Sequence, residues 1–323
     1  MKPRILVVGS LVMDLIVTTE RFCNAGETVI GNGFSTAPGG KGANQAVQAA
    51  RLGADVTMVG KVGNDDFGRN LINSAKESGV NTEYIFVTDS APTAVGNVQI
   101  QKNEKGTENR IIVVPGANFE LTVEDVAFLE EKIADFDMVI MQHEIPQEIN
   151  LKVAEYAKAK GVPVMLNPAP SAEVPKELIS CLTYISPNEH EAEDIIGIKP
   201  EGENAIDKAV TALHNMGVSN VLITLGKAGC VFSNGEKTIE SPSVNMGVVV
   251  DPTAAGDSFI GAFCTATAAG IECEKALLFA NCTAGITVSR MGAQTSLPTF
   301  EEVISAMKER NFGTEIYNTI KGE

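Results

Sequence analysis

Three features of the sequence predict an α/β fold with a mostly parallel central sheet flanked by helices. Short β-branched runs alternate with helix-period segments over most of the chain, and the connections between them have the length of βαβ crossovers. Two stretches, Leu15 to Ser35 and Thr93 to Val114, break that alternation with period-two patterns punctuated by Gly and Asn. These stretches predict antiparallel strands outside the main sheet, either a small β-sheet lid built from segments 15–38 and 93–116 or a pair of surface hairpins. With no repeats, low-complexity tracts or Pro-rich linkers, residues 1–323 read as one α/β domain with this elaboration.

The elements follow in order. Arg4 to Gly9 is the first strand. Gly42 to Leu52 carries Ala and Val at helical spacing, closes at Gly53 and leads into a strand at Val56 to Val59. Further strands are expected at Met138 to Met141, Val162 to Leu166, Leu182 to Ser186 and Val221 to Leu225. Helices are expected around Val123 to Ile133, Ile149 to Lys160, His190 to Ile195 and Ile206 to Met216. A last strand, Val248 to Val250, runs into a tight turn followed by a small-residue helix at Ile260 to Ala269.

Composition narrows the function. In 323 residues, 25 Lys and Arg face 41 Asp and Glu, for a formal charge of −16. Such a surface repels phosphate backbones and anionic lipid, so nucleic-acid and membrane roles are disfavoured. No apolar run has the length of a bilayer-spanning helix, and Met1 to Gly9 lacks a secretory cleavage pattern, so a soluble cytoplasmic protein is expected. Cys23, Cys181, Cys230, Cys264, Cys273 and Cys282 are scattered and form no C-x-x-C pair, which predicts buried free thiols. His143, His190 and His214 stand far from one another and from any paired Cys, so zinc is not expected.

Three strings carry candidate chemistry. In Asp251-Pro252-Thr253-Ala254-Ala255-Gly256-Asp257, small residues at a helix start let backbone N–H groups converge on an anion, and Asp257 faces that turn. A carboxylate there either takes a proton from an attacking hydroxyl or merely caps the helix. Pro38-Gly39-Gly40-Lys41-Gly42-Ala43-Asn44-Gln45 is a second glycine run opening a helix; it lacks the Ser or Thr of a P-loop. It suits a polyhydroxylated ligand held by Lys41 and Asn44, or only a closely packed helix start. In Ser186-Pro187-Asn188-Glu189-His190-Glu191, carboxylates crowd a first helical turn, which complements the helix dipole and would also hold Mg²⁺ through water. Weaker signals are Thr224-Leu225-Gly226-Lys227-Ala228-Gly229, a glycine turn at a strand end, and Asn167-Pro168-Ala169-Pro170, at the sheet edge where α/β proteins bind ligands.

These strings, together with Gly9-Ser10 and Asp14, Met141-Gln142 and Glu144, and Gly292-Ala293-Gln294, occur in the order and spacing of one family. Over nearly the whole chain the sequence resembles the ribokinase-like branch of the phosphofructokinase-B family of sugar kinases. The resemblance implies a three-layer sandwich with a β-lid that also forms a homodimer interface, and ATP-dependent phosphorylation of a sugar's primary hydroxyl. It implies Asp257 as catalytic base, with the amides of Ala255 and Gly256 as anion hole. It assigns the sugar to Asp14, Gly40, Lys41, Asn44 and Glu144. The nucleotide falls to Asn188, Thr224, Leu225, Gly226, Lys227, Ala228, Gly229, Gly256 and Asn281, with Glu191 organising Mg²⁺. Asp251, Thr253, Thr287, Arg290, Gly292 and Ser296 fall where relatives enclose an activating monovalent cation, K⁺, largely with carbonyls.

Two departures stand out. Val12 replaces the Asn usually found two residues before the sugar-binding Asp, which removes a polar contact and suits a sugar lacking one hydroxyl. Because the rest of the sugar set is unchanged, ribose is the expected substrate, and Val12 makes 2-deoxyribose, or another sugar or nucleoside of the family, the alternative. Pro252 replaces the usual Thr, removing one N–H from the cation loop while leaving its carbonyls. Two rival classes are disfavoured. A non-catalytic sugar-binding regulator has no use for both Gly256 and Asp257, and a dinucleotide oxidoreductase would carry G-x-G-x-x-G after the first strand, where this chain has Gly9-Ser10-Leu11.

Overall fold

A computed structural model describes residues 2–103, 106–201, 204–313 and 316–321. The chain begins with β1 (Arg4–Val8), β2 (Val12–Thr19), β3 (Gly33–Gly39), α1 (Lys41–Arg51) and β4 (Asp55–Gly63). It continues through α2 (Asp66–Glu77), β5 (Asn81–Thr88), β6 (Val95–Asn103), β7 (Gly106–Val114), α3 (Val123–Val126), α4 (Leu129–Lys132) and β8 (Met138–Met141). Next come α5 (Gln147–Lys160), β9 (Val164–Leu166), α6 (Lys176–Ile179), β10 (Tyr184–Ile185), α7 (Glu189–Ile196), α8 (Ala205–Asn215) and β11 (Asn220–Thr224). The last elements are β12 (Cys230–Ser233), β13 (Thr238–Ser241), α9 (Ala255–Ala268), α10 (Cys273–Thr287), α11 (Phe300–Glu309) and α12 (Ile316–Lys321).

The main sheet has nine strands in the order β13-β12-β11-β10-β9-β8-β1-β4-β5. It is parallel from β11 to β5, and β12 and β13 add an antiparallel edge. Alternation along β1 builds two cores. Ile5 and Val7 face a cluster shared with α1, α9, α10 and α11, while Leu6 and Val8 face a second one shared with α5 and α8. Helices on both faces of a sheet buried throughout its middle give three layers.

The second sheet has four strands in the order β3-β2-β6-β7. Both period-two segments enter this one sheet, so they are not separate hairpins. The expectation of purely antiparallel pairing needs one correction. β2 pairs antiparallel with β3 and β6 with β7, but β2 and β6 run parallel, since each enters the sheet from the core in the same direction.

Other expectations are also corrected. Val248 to Val250 form no strand and lie exposed, Val248 at 81%, because β12 and β13 already close that edge of the sheet. The helix expected over Val123 to Ile133 is broken into α3, α4 and a 3₁₀ turn at Ile133–Asp135. The small-residue helix begins at Ala255 rather than Ile260, so Asp257 lies inside its first turn. Of the six free cysteines, Cys230, Cys264 and Cys282 are buried, Cys181 and Cys273 half-buried and Cys23 exposed.

Candidate active site

The strand ends place the candidate residues. β1 and β8 are neighbours whose chains leave toward opposite sides of the sheet, which is where open α/β folds bind ligands beyond the carboxyl ends of their strands. Ser10 follows β1, Gln142 and Glu144 follow β8, Asn167 follows β9, Asn188 follows β10, and Gly226 follows β11. All therefore gather at one edge, where α1 and α9 also begin.

A cleft of ≈ 380 Å³ opens at this edge. Its lining takes in Asn188, Thr224, Gly226, Gly229 and Asn281 of the expected nucleotide set, together with Glu191, Lys41, Ala255, Gly256 and Asp257. Leu225, Lys227 and Ala228 belong to the same turn but do not line it. Asn281 is buried on α10, and its amide donates to Ser241 Oγ at 2.9 Å. Asn188 caps α7: its Oδ1 accepts from the amides of His190 and Glu191, each at 2.9 Å. Both Glu191 carboxylate oxygens accept from Asn188, its Nδ2 and its backbone amide, each at 2.9 Å. Burial pushes the Glu191 carboxyl above its ordinary value, against these hydrogen bonds and the charge of Lys41.

Asp257 does not cap its helix. The N-cap of α9 is Ala254, held at φ +60 with no side-chain cap, and the Asp257 carboxylate points across to α1. Asn44 Nδ2 donates to Oδ2 at 2.9 Å and Gln45 Nε2 to Oδ1 at 3.0 Å. Of the two amides expected to form an anion hole, Ala255 N donates to the Pro252 carbonyl at 3.2 Å, while Gly256 N stands in the first turn of α9, where helical amides lack intrahelical acceptors.

Of the expected sugar set, Lys41 lines the cleft, whereas Asp14, Gly40, Asn44 and Glu144 do not. Glu144 Oε2 accepts from the Lys41 amide at 2.9 Å and from the Ser10 hydroxyl. Gly40 is the N-cap of α1. Burial works against the charge on Lys41, yet the carboxylates of Asp257, Glu144 and Glu191 hold its pKa above the ordinary lysine value. Asp14 sits on β2, the inner strand between β3 and β6, with its carboxylate closed in by Gly39 and Gly96. A Cβ on either glycine would stand 2.5 or 2.3 Å from an Asp14 oxygen. Burial, and then the Glu144 charge, push the Asp14 carboxyl up to about 6. Asn44 Oδ1 is buried without a partner among the described residues.

The expected cation residues form a neighbouring unit outside the cleft lining. Asp251 Oδ1 accepts from Thr253 N and Oδ2 from Gly292 N, both at 2.9 Å, and Asp251 N donates to Val288 O at 3.2 Å. Burial opposes the Asp251 charge, but these hydrogen bonds hold its carboxyl below its ordinary value. The Asp251–Thr253 loop is thereby tied beside the segment bearing Thr287, Arg290, Gly292 and Ser296. The Arg290 guanidinium turns away to Glu302, at 2.6 Å. With its only carboxylate already engaged by backbone amides, this set would leave backbone carbonyls and hydroxyls as the groups to hold a cation.

Several buried polar residues of the singled-out strings, to which no individual role was assigned, also lie around the site. Gln45, Gln142 and Asn167 form a connected network behind Asp257, Ser10 carries Glu144, and Ser186 Oγ, at the cleft wall, is buried without a partner among the described residues. The signal was present in α1, whose inward stripe contains Asn44, Gln45 and Gln48 where an ordinary core helix has aliphatic residues.

A model described as pfkB family carbohydrate kinase matches residues 2–300. The ribokinase of Bacillus subtilis (strain 168) is 42% identical over 299 residues, covering 93% of this chain and 97% of that protein. The ribokinase of Schizosaccharomyces pombe is 39% identical over 310 residues, covering 93% and 96%. Among solved structures, Arabidopsis thaliana ribokinase complexed with ribose and ATP superposes with a TM-score of 0.88 at 34% identity, covering 95% of this chain and 99% of that one. With the strand-edge cleft, the two ordered glycine strings and a family match over most of its length, the chain belongs to the pfkB family of carbohydrate kinases.

Proposed function

We propose that this chain is an ATP-dependent ribose kinase that moves the γ-phosphoryl group of ATP to the 5-hydroxyl of D-ribose, giving ribose 5-phosphate and ADP. The observation that carries the proposal is the position of Asp257, between a cleft lined by the nucleotide strings and a polar cluster made by α1 and Glu144. Asp257 takes the proton of the attacking hydroxyl as the new O–P bond forms and the bond to ADP breaks; the proton later leaves to solvent. The Gly256 amide and the N-terminus of α9 stabilise charge on the phosphoryl oxygens, and the Ala255 amide contributes less while it is bonded to Pro252. Lys41, kept cationic by its three carboxylate neighbours, adds to this stabilisation.

Asp14, Asn44 and Glu144 accept from sugar hydroxyls, and the unpartnered Asn44 Oδ1 is matched to such a donor. Gly40 lets the backbone approach the sugar. Asn188, the Thr224 to Gly229 turn and Asn281 hold the nucleotide. Mg²⁺ bound to ATP would neutralise phosphate charge, with Glu191 reaching it through water, since both of its oxygens are already engaged. A monovalent cation, K⁺, would sit among the carbonyls of Asp251, Thr253, Thr287, Arg290, Gly292 and Ser296. The small sheet acts as a lid that excludes water and as the interface of a homodimer, and free thiols at all six cysteines suit the cytoplasm.

Val12 supports a second reading, 2-deoxyribose, because it is 3% exposed and offers no hydrogen bond on the strand that bears Asp14. ADP release with Mg²⁺-ATP and K⁺ against ribose, 2-deoxyribose, fructose and adenosine decides. The highest kcat/KM is expected on ribose, and Asp257→Asn is expected to lower kcat by about 10² or more. A preference for 2-deoxyribose would exchange the two readings, and an unchanged rate in Asp257→Asn would remove the base from the mechanism.

A further inference from the structure

We infer that Gln45 is a positioning residue for phosphoryl transfer, its amide holding the Asp257 carboxylate away from its own helix and toward the substrate hydroxyl. The inference rests on the reading of Asp257 as the base. Asp257 is the third residue of α9, and an acidic side chain at that position ordinarily folds back onto the N-cap amide. Here that backbone conformation would draw the carboxylate toward the anion-binding turn and away from the hydroxyl. Two amide donors from α1 oppose it, Asn44 on Oδ2 and Gln45 on Oδ1, and together they fix the plane of the carboxylate.

The orientation of Gln45 is itself determined. The residue is fully buried. Its Nε2 donates to Asp257 Oδ1 at 3.0 Å and to Asn167 Oδ1 at 3.1 Å, and its Oε1 accepts from Gln142 Nε2 at 2.7 Å. Asn167 is turned by its own bond from Nδ2 to the Ser186 carbonyl at 2.9 Å, so its Oδ1 has to face Gln45. Reversing the Gln45 amide would set an acceptor against two acceptors and a donor against the Gln142 donor. Asn150 Nδ2 donates to the Gln142 carbonyl at 2.7 Å and anchors that segment to α5. A polar residue of this kind in the apolar stripe of α1 has no packing advantage over Leu or Met, so its use is the bond it makes.

The test is a double-mutant cycle in the full chain, with ribose and Mg²⁺-ATP. Gln45→Met keeps the length of the side chain and removes both donors. It is expected to lower kcat about 10-fold to 100-fold while changing KM for both substrates less than about threefold, because a base that leaves its line of approach costs rate rather than binding. In an Asp257→Asn background the same change is expected to cost less than about twofold, since the base it positions is gone. Equal losses from Gln45→Met in both backgrounds, or a loss confined to KM, would overturn the inference. An Asp257→Asn enzyme with nearly full rate would instead overturn the base reading on which it rests. Should Gln45→Met not fold, Gln142→Met releases Gln45 Oε1 without touching Asp257. A several-fold fall in kcat then supports the inference, and an unchanged kcat overturns it.

Discussion

At the scale of one residue, Asp14 is a half-buried carboxylate whose charge costs stability. Its strand register puts it opposite Gly96, the glycines beside it make room for the carboxylate itself, and among the described residues no donor compensates the burial of that carboxylate. Raised to about 6, it carries its charge at neutral pH against both burial and Glu144. The sign follows from linkage. With the folded value above the unfolded one, the folded state holds the proton more tightly, so stability is lost as pH rises from about 4 to about 6 and stays lost above. Asp14→Asn is therefore expected to raise the stability of the sugar-free protein by at most about 3 kcal/mol at pH 8. Thermal unfolding from pH 4 to 8 should show a gain that grows through about pH 6 and then levels, while the variant loses sugar binding. A gain independent of pH would mean that the charge is not the cause. Two residues earlier, Val12→Asn is expected to raise the ratio of kcat/KM for ribose over 2-deoxyribose roughly tenfold, the value of one hydrogen bond. A flat ratio would show that this position does not read the differing hydroxyl.

At the scale of elements, α1 links the parts of the site. Its first turn presents Lys41, Asn44 and Gln45; farther along, Gln48 Nε2 donates to Pro298 O at 3.0 Å, and Arg51 Nη1 donates to the carbonyls of Gln294 and Leu297 at 2.7 and 2.8 Å. The helix thus spans from Asp257 to the segment that follows Gly292. It can lie so close to β1 because Gly42 has no side chain: a Cβ there would stand 2.5 Å from Ser10 N and 2.7 Å from the Gly9 carbonyl carbon. Gly42→Ala is expected to push α1 outward, costing about 1–3 kcal/mol in stability by urea unfolding. It should also lower kcat more than it raises KM for ATP, whose proposed cleft is built mainly from other elements. A variant with unchanged stability would mean that the helix start yields without strain. The glycine string was legible in the sequence as a close approach, and so was the βαβ order, because period and punctuation are local. The parallel pairing of β2 with β6, the edge strands β12 and β13, and the exposed course of Val248 to Val250 were not legible, since strand neighbours and edges are settled by distant parts of the chain. For the same reason Asp257 could be singled out, but its donors on α1, more than 200 positions earlier, could not.

For the whole molecule the outstanding surface is the small sheet. β3 and β7 are its two edges. Along β7 the consecutive residues Ile111, Ile112, Val113 and Val114 are all exposed, Ile112 at 63%, and on β3 Phe34 is exposed at 70%. Consecutive apolar residues open on both faces of an edge strand leave unpaired backbone groups beside greasy side chains, an arrangement that a stable monomer avoids with charge, Pro or a covering element. No such device interrupts Ile111 to Val114, although the chain as a whole carries a formal charge of −16. A second copy of the same sheet is the partner proposed to cover this surface, and a two-fold pairing would bury matching apolar strips against each other. Asp14 lies on β2, one strand in from the β3 edge, so its backbone would be stiffened by that partner, whereas the proposed nucleotide cleft at the ends of β10 and β11 would not. Sedimentation velocity at micromolar concentration is expected to give a dimer for the unaltered chain and a monomer for the double variant Phe34→Glu with Ile112→Glu. The monomer should show a severalfold higher KM for the sugar with KM for ATP unchanged. A monomeric unaltered chain would refute the pairing, and a monomeric variant with an unchanged sugar KM would separate assembly from the sugar site.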